Sequence, residues 1–266
     1  MPDQPLDLRT DRPHSARMYD YLLGGKEHYT VDAEAAEKAL QVFPMLRTAA
    51  RENRKFLGRA VRYLAKEAGI RQFLDLGSGL PTAENVHQVA QRVIPDARVV
   101  YVDNDPIVLV HGNALLARDA STCVVQGDIR EPRAVLEHPE TQGLIDFDEP
   151  VAVLAVAVLH FVGDDEDPDG IVRTLREAVC PGSHLILSHA TADLAPEAAL
   201  GVQEAYRVQG VPLTLRSKER FTEFFAGTEL IDPGVQVVSD WRAEEPADQR
   251  PSHADVSWYG GIGRVV

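Results

Sequence analysis

FLDLGSGLP, residues 73–81, is the most informative stretch of the sequence. Its apolar first half is typical of a buried strand, and Gly77, Ser78 and Gly79 predict a tight turn behind it. Thr82 can cap the helix that follows. In open α/β sheets, ligands bind at the carboxyl ends of the strands, and a glycine there lets a ligand approach the backbone closely. We therefore expect a ligand site at this turn.

An apolar strand followed by an amphipathic helix occurs five times between residues 71 and 208. The strands are nearly continuous apolar runs, as expected for parallel strands covered on both faces. They are RQFLDLG, ARVVYVD, TCVVQGD, PVAVLAVAV and SHLILSHA. This alternation predicts an α/β fold with a doubly wound sheet and right-handed crossovers.

Helices precede this region and strands follow it. Residues 48–69 have a helical apolar face, and an earlier apolar stripe predicts a helix that starts at His14 or Ser15 and ends at Gly24. We expect residues 1–69 to form a helical cap or lid and residues 70–266 to form the core. The last two strands, ELIDPGVQVVSDW and DVSWYGGIGRVV, are joined by a polar loop without a helix, which favours antiparallel pairing.

Composition excludes several classes of protein. The net charge of −14 over 266 residues repels phosphate backbones, so we expect no nucleic-acid partner. The longest apolar run, residues 151–162, is too short to span a bilayer, and the first residues lack an apolar signal core. We therefore expect a cytoplasmic protein without a membrane partner. Cys123 and Cys180 lack the spacing of a disulfide framework or zinc site, and we expect no metal. The oligomeric state stays open.

The turn also distinguishes two kinds of cofactor that contain adenosine, one with a pyrophosphate and one without. Thr82 stands where a GxGxxG fingerprint has its third small residue, and Pro81 removes an N–H that would hold phosphate. Asp75 would repel a pyrophosphate but attract the ammonium of an amino acid. These features favour S-adenosylmethionine (SAM), which carries an amino acid and no phosphate. A nicotinamide-dependent oxidoreductase is the competing hypothesis.

The next two strands also end in acids. In YVDNDP, Asp103 has the spacing of a ribose-binding acid, with Asn104 beside it. In VVQGDIREP, Asp128 can accept a hydrogen bond from an adenine amino group, with Ile129 beside the ring. Acids at strand ends also form turns and helix caps. Three of them at successive strand ends, together with the glycine turn, predict a SAM site.

Longer segments resemble an actinobacterial family of SAM-dependent methyltransferases in the Rossmann-like superfamily. They are RMYDYLLGGKEHY, FLDLGSGLPTAENVHQVAQ, VVYVDNDPIVL, LHFV and YGGIGR. The resemblance implies a seven-stranded mixed sheet with its last strand antiparallel, and SAM as cofactor. It leaves the acceptor unnamed, and we expect a small molecule such as a specialised metabolite. A regulatory module that binds SAM or S-adenosylhomocysteine (SAH) without turnover is the alternative.

The resemblance also implies N-terminal helices that fold over the cofactor. On that hypothesis Arg17 or Lys26 neutralises the carboxylate of SAM, and Tyr19, Tyr21 or Tyr29 forms a wall of the pocket. The glycine pair in this segment would be the hinge or cap of a lid. Deleting residues 1–30 is then expected to weaken SAM binding.

Histidines at the ends of the fourth and fifth strands are candidates for a general base. His160 follows the fourth strand and His189 lies in the fifth. An unperturbed histidine titrates near neutral pH, so either can exchange a proton with an acceptor. We take His160 as the candidate catalytic base or, alternatively, as a residue that shapes the SAM pocket.

Overall fold

The structure is a computed structural model that describes residues 8–81, 84–115 and 120–266. Thr82, the predicted helix cap, lies outside the described residues. The helix after the glycine turn begins at Val86 and has Asn85 as its N-cap. The described helix therefore begins three residues later than the sequence predicts.

Three helices precede the first strand: α1 (Ser15–Leu23), α2 (Thr30–Val42) and α3 (Leu46–Lys66). Strands and helices then alternate: β1 (Gln72–Leu76), α4 (Val86–Gln91), β2 (Arg98–Asp103), α5 (Pro106–Leu115), β3 (Thr122–Gln126), α6 (Pro132–Leu136), α7 (Pro139–Leu144), β4 (Val151–Val156), α8 (Pro168–Glu177), β5 (His184–Ala190) and α9 (Pro196–Val208). The chain ends with α10 (Lys218–Glu223), β6 (Thr228–Leu230), β7 (Gln236–Val237), α11 (His253–Val256) and β8 (Trp258–Val265).

The strands form one mixed sheet in the order β3-β2-β1-β4-β5-β8-β6, with β7 beside β8. Strands β1 to β5 are parallel, and β8 runs antiparallel to β5. The predicted doubly wound sheet with an antiparallel last strand is confirmed. Two details differ from the prediction: the two-residue β7 is an eighth described strand, and the polar loop before β8 contains the short helix α11.

The strand order reverses at β1, which has β2 on one side and β4 on the other. The glycine turn therefore lies at the switch point of the sheet, where such folds bind ligands. The backbone N–H of Gly77 donates a hydrogen bond to the carbonyl of Val102 in β2, at 2.8 Å. This bond fixes the start of the turn against the neighbouring strand.

The described residues form two large apolar clusters and a small third one of Leu80, Ile107 and Val108. Helix α3 packs on the sheet, and its Phe56 and Leu64 are completely buried there. Helices α1 and α2 form a second cluster with α9, in which Met18 and Ala36 are completely buried. Burying such side chains is the main force that holds these helices on the domain. The division into a cap of residues 1–69 and a core stays a prediction, because most of the buried apolar side chains of α3 belong to the same apolar cluster as those of the sheet.

Helix α1 has the predicted ends. His14 is its N-cap, and the Nδ1 atom of its side chain accepts a hydrogen bond from the N–H of Ala16. Gly24 ends the helix with a φ of 82°, which favours glycine. None of the helices among the described residues combines the length and apolarity that crossing a membrane requires.

Candidate cofactor-binding site

A cavity of about 270 Å³ lies between the carboxyl ends of β1 to β4 and helices α1 and α3. Nine residues that the sequence predicts as cofactor contacts line it: Tyr19, Asp75, Gly77, Ser78, Gly79, Asp103, Asn104, Asp128 and Ile129. The other three, Arg17, Tyr21 and Lys26, lie outside it. The strand-end residues meet because parallel strands end at one edge of the sheet.

Both glycines of the turn have left-handed backbone angles, with φ of 66° at Gly77 and 67° at Gly79. A Cβ atom on Gly77 would come within 2.5 Å of the Val158 side chain in the loop after β4. A Cβ on Gly79 would meet no atom within 4 Å, so only the backbone angle favours glycine there. The N–H of Gly79 donates to Asp103 Oδ2 at 2.8 Å, which joins the ends of β1 and β2.

Asp75 and Arg54 are two charged groups on the cavity wall with unused hydrogen-bonding capacity. Asp75 is 5 % exposed, and no other described residue hydrogen-bonds its carboxylate. Burial raises the pKa of Asp75 to about 7, while the Arg54 guanidinium opposes that rise. The Nε of Arg54 and the Oγ of Ser78 are also buried without a partner among the described residues. Since buried polar groups are normally paired, these three groups indicate a ligand.

Arg54 comes from α3 and is not among the residues predicted from the sequence. Its Nη2 donates to the carbonyl of Glu84 and to Asn85 Oδ1, both at 3.2 Å. These two bonds orient the guanidinium and leave Nε without an acceptor. Nothing in the run RENRK distinguishes Arg54 from its charged neighbours, so only the fold identifies it.

Asn53 is a second lining residue that the sequence analysis missed. Its Nδ2 donates to the Tyr19 hydroxyl at 3.0 Å, and its Oδ1 accepts from Ser188 Oγ at 2.7 Å. It therefore links α1, α3 and β5. A signal for it exists in the sequence, because Asn53 interrupts the apolar face of α3 between Ala49 and Phe56.

Asp103 lies at the end of β2 and is 6 % exposed. Its two oxygens accept the N–H groups of Gly79 and Asp105, at 2.8 and 2.9 Å. Burial raises the pKa of Asp103, against these two hydrogen bonds and the nearby His14. Each oxygen of a carboxylate has two lone pairs, so Asp103 can still accept hydrogen bonds from ligand hydroxyls.

Asp128 and Asn104 join the ends of β3 and β2 through a hydrogen bond of 2.8 Å. Burial alone would raise the pKa of Asp128, but hydrogen bonds from Arg130 and Asn104 outweigh it and lower that pKa. Asp128 is therefore ionised near neutral pH. Arg130, which the sequence analysis missed, also donates to the Phe161 carbonyl at 2.8 Å and to Glu166 at 2.6 Å. It ties the end of β3 to the loop after β4.

Arg17 is buried away from the cavity. Its Nε donates to Asp105 Oδ2 at 2.9 Å, and its Nη1 lies 3.5 Å from Asp32 Oδ2. Two carboxylates therefore neutralise its charge within the protein. The structure does not place Arg17 to bind the carboxylate of a ligand, because a helix turns its side chains by about 100° per residue and this one faces α2 and the loop after β2.

Tyr21 and Lys26 are likewise outside the cavity. The Tyr21 hydroxyl hydrogen-bonds Glu37, and its ring lies under the Arg47 guanidinium at 4.6 Å. Lys26 is exposed, as is Tyr29. Of the three tyrosines proposed for the wall, only Tyr19 lines the cavity, and its hydroxyl donates to the Ala50 carbonyl at 3.0 Å.

His160 lies beside the cavity rather than in its wall. It is 2 % exposed, and its Nδ1 accepts the N–H of Ala190 at 3.4 Å. Burial lowers the pKa of His160 well below its usual value, and His189 and Arg216 add to this effect. The ring is therefore neutral with its proton on Nε2. In that tautomer Nε2 donates and cannot take a proton, which favours a pocket-shaping role over that of a base.

His189 has both ring nitrogens occupied. Its Nε2 accepts from Arg216 at 2.8 Å, so its Nδ1–H donates to the Ala190 carbonyl at 2.7 Å. Burial lowers the pKa of His189 to about 3. Within the described ranges, no group of three or more His, Cys, Asp and Glu residues is arranged to hold a metal ion.

The fold and the cavity define an α/β protein of the class that binds a nucleoside cofactor at the carboxyl edge of its sheet. The model of the S-adenosyl methyltransferase family matches residues 2–266. The chain therefore belongs to this family and is a SAM-dependent methyltransferase. The predicted resemblance is confirmed.

Solved structures agree with this assignment. A DUF574 family protein from Streptomyces avermitilis is 42 % identical, with a TM-score of 0.95 over 98 % of this chain and 100 % of that chain. A protein from Thermobifida fusca described as a methyltransferase is 43 % identical, with a TM-score of 0.92 over 100 % of this chain and 99 % of that chain. A SAM-dependent methyltransferase from Anabaena variabilis, 13 % identical, shares the fold with a TM-score of 0.50 over 76 % of this chain and 80 % of that one. No curated protein matches the chain.

The cavity fits the cofactor of this family. SAM carries an ammonium and a carboxylate on one carbon, and Asp75 and Arg54 offer the complementary charges. Among the described residues, Asp75 has no hydrogen-bond partner and the Nε of Arg54 has no acceptor. The carboxylates of Asp103 and Asp128 supply acceptors at the next two strand ends. The wall thus has charged partners for an amino acid and acceptors for a nucleoside.

Proposed function

We propose that the protein transfers the methyl group of SAM to a small-molecule acceptor of the specialised-metabolite kind. The observation that carries this proposal is the pair of Asp75 and Arg54, whose buried polar groups face the cavity at the switch point of the sheet. A zwitterionic amino acid satisfies both, and a pyrophosphate would satisfy only Arg54.

The other cavity residues have roles that follow from their chemistry. Asp103 would accept the two ribose hydroxyls, and Asp128 would accept the adenine amino group, with Ile129 beside the ring. The turn from Gly77 to Gly79 lets the cofactor approach the backbone. When bound, SAM supplies a methyl group on a sulfonium, which is transferred by in-line displacement and needs the acceptor to be held in alignment.

The charge of the protein supports a small acceptor. The net charge of −14 disfavours nucleic acid, because a phosphate backbone would be repelled. We also propose a cytoplasmic location, supported by the free state of Cys123 and Cys180, since thiols stay reduced in that compartment.

The proposal is tested with methyl-labelled SAM and an actinobacterial cell extract separated into small molecules, proteins and nucleic acids. We expect label to enter the small-molecule fraction with the wild type and not with Asp75→Asn. Label in protein or nucleic acid alone would refute the small-molecule acceptor. Tight SAH binding without labelling of any fraction would instead support a regulatory module, and preferential binding of NAD would refute the cofactor assignment.

A further inference from the structure

A second, smaller cavity of about 40 Å³ adjoins the cofactor cavity. It lies where α1 and α3 meet α9 and the ends of β4, β5 and β8. Ser15, Tyr19 and Phe161 line both cavities, so the two spaces share a wall. We call it the inner cavity. It lies between the two large apolar clusters of the core.

The walls of the inner cavity carry no formal charge. None of the described residues that line it is Asp, Glu, Lys or Arg. Aromatic rings form much of the surface, with the Trp258 ring 5.1 Å from His160 and the Tyr206 ring nearly parallel to Phe161. Placing an ion against such walls costs its hydration without a counter-charge. The cavity therefore favours an uncharged, flat and mainly apolar occupant.

Two polar groups lie on these apolar walls. No described residue hydrogen-bonds His160 Nε2, and that atom carries the ring proton because Nδ1 accepts from Ala190. The Tyr206 hydroxyl also has no described partner, and burial raises the pKa of Tyr206, so the hydroxyl keeps its proton. The cavity thus offers two neutral donors, which match an oxygen atom on the occupant.

We propose that the inner cavity receives the reacting end of the methyl acceptor, and that this end is an uncharged group whose oxygen accepts a hydrogen bond from His160. The inference rests on the proposed function, because it assigns the acceptor to the space beside the cofactor. His160 is then a positioning residue that orients the acceptor through Nε2–H. A cavity that holds a benzene ring has a volume of roughly 150 Å³. The inner cavity, at about 40 Å³, therefore admits only the oxygen-bearing end of the acceptor, and the rest of the acceptor lies outside it.

The binding test uses the protein saturated with SAH and three ring compounds of similar shape. These are p-cresol, whose polar end is a neutral hydroxyl, 4-methylbenzoate, whose polar end is anionic, and 4-methylbenzylamine, whose polar end is cationic. Calorimetric titration is expected to show p-cresol binding about tenfold or more tightly than either ion, because each ion would lose hydration in an uncharged cavity. Equal affinity for all three, or no p-cresol binding to the SAH complex, would overturn the proposal.

Three variants test whether p-cresol binds in the inner cavity. Ala199 lines the inner cavity, and Ala199→Leu fills part of it, whereas Ala198→Leu on the same helix lies outside and is the matched control. We expect Ala199→Leu to weaken p-cresol binding about tenfold and Ala198→Leu to leave it unchanged. His160→Phe, which keeps a ring but removes the donor, is expected to weaken it about fivefold. Equal p-cresol affinity in all these variants would contradict the assignment.

SAH affinity is the second readout in every variant. It is expected to stay unchanged in Ala199→Leu, which shows that the protein is folded and the cofactor cavity is intact. In His160→Phe, a loss of p-cresol affinity larger than any loss of SAH affinity reports the missing donor. If the wild type fails to bind SAH, the proposed function itself fails. If SAH binds and p-cresol does not, only the inner cavity assignment fails.

Discussion

The cofactor cavity and the inner cavity share three wall residues but differ in chemistry. The first has carboxylates at three strand ends and a guanidinium from α3. Among the described residues, the Asp75 carboxylate has no hydrogen-bond partner and the Nε of Arg54 has no acceptor. The second has no formally charged side chain among its described residues and only neutral donors. A charged wall selects a zwitterion by electrostatics. A neutral wall selects by shape and by a few hydrogen bonds, so the two ligands are recognised independently.

The largest loss of stability is expected from removing Arg17, a buried cation that lines neither cavity. Arg17→Met leaves Asp105 and Asp32 buried without their cation, so we expect the free energy of unfolding to fall by about 3–5 kcal/mol. Urea unfolding followed by circular dichroism measures it. The control is Arg47→Met, because the Arg47–Glu37 pair is partly exposed and is worth about 1 kcal/mol or less. Equal losses in the two variants would contradict the role given to Arg17.

The second prediction concerns the charged cavity alone. Asp75→Asn keeps the shape of the side chain but removes the charge that faces the ammonium of SAH, so we expect affinity to fall about 100-fold. Calorimetric titration with SAH measures it, with the exposed Asp148→Asn as control. If Asp75→Asn lowers SAH affinity by less than about threefold, the proposed pairing of Asp75 with the ammonium is wrong. In the presence of excess SAH, Asp75→Asn is expected to bind p-cresol as tightly as the wild type does.

The third prediction uses the pKa of Asp75, which burial raises to about 7. Only the ionised form pairs with the ammonium of SAH, so affinity is lost as the pH falls through 7. Between pH 8 and pH 6 the ionised fraction falls about tenfold, and the association constant is expected to fall by the same factor. Asp75→Asn is expected to lack this dependence. If the SAH affinity of the wild type does not change with pH, or if that of Asp75→Asn changes equally, then Asp75 is not the titrating group.

The smallest expected effects are on SAH affinity, at two residues that lie outside both cavities. Lys26→Ala and Tyr21→Phe are expected to change SAH affinity less than about twofold, since Lys26 is exposed and the Tyr21 hydroxyl bonds Glu37. The same titration checks both. A tenfold loss in Lys26→Ala would mean that the loop after α1 moves onto the cofactor, as the sequence hypothesis had it.

The parts of the site that the sequence predicts are those encoded by local pattern. Asp75, Asp103 and Asp128 each follow an apolar run, and parallel strands must bring such residues to one edge of the sheet. The cation could not be assigned in this way. Three candidate cations precede the sheet in the sequence: Arg17, Lys26 and Arg54. Only the packing of α1 and α3 shows that two carboxylates neutralise Arg17 and that Arg54 lies on the cavity wall with Asp75.

The inner cavity was even harder to predict from the sequence. Ser15, His160, Ala199 and Trp258 come from four distant parts of the chain, and no spacing relates them. The protonation state of His160 also depends on a backbone N–H contributed by β5. A histidine after a strand suggests a base, whereas the tertiary contact makes it a donor.

We infer that the cavity binds SAM through its amino acid as well as its nucleoside. Titration of the wild type with SAH and with 5′-methylthioadenosine, which lacks the amino acid, tests this most directly. Because Asp75 and Arg54 would have no partner in the second complex, we predict that SAH binds about 100-fold more tightly or better. Equal affinities for the two compounds would contradict the account.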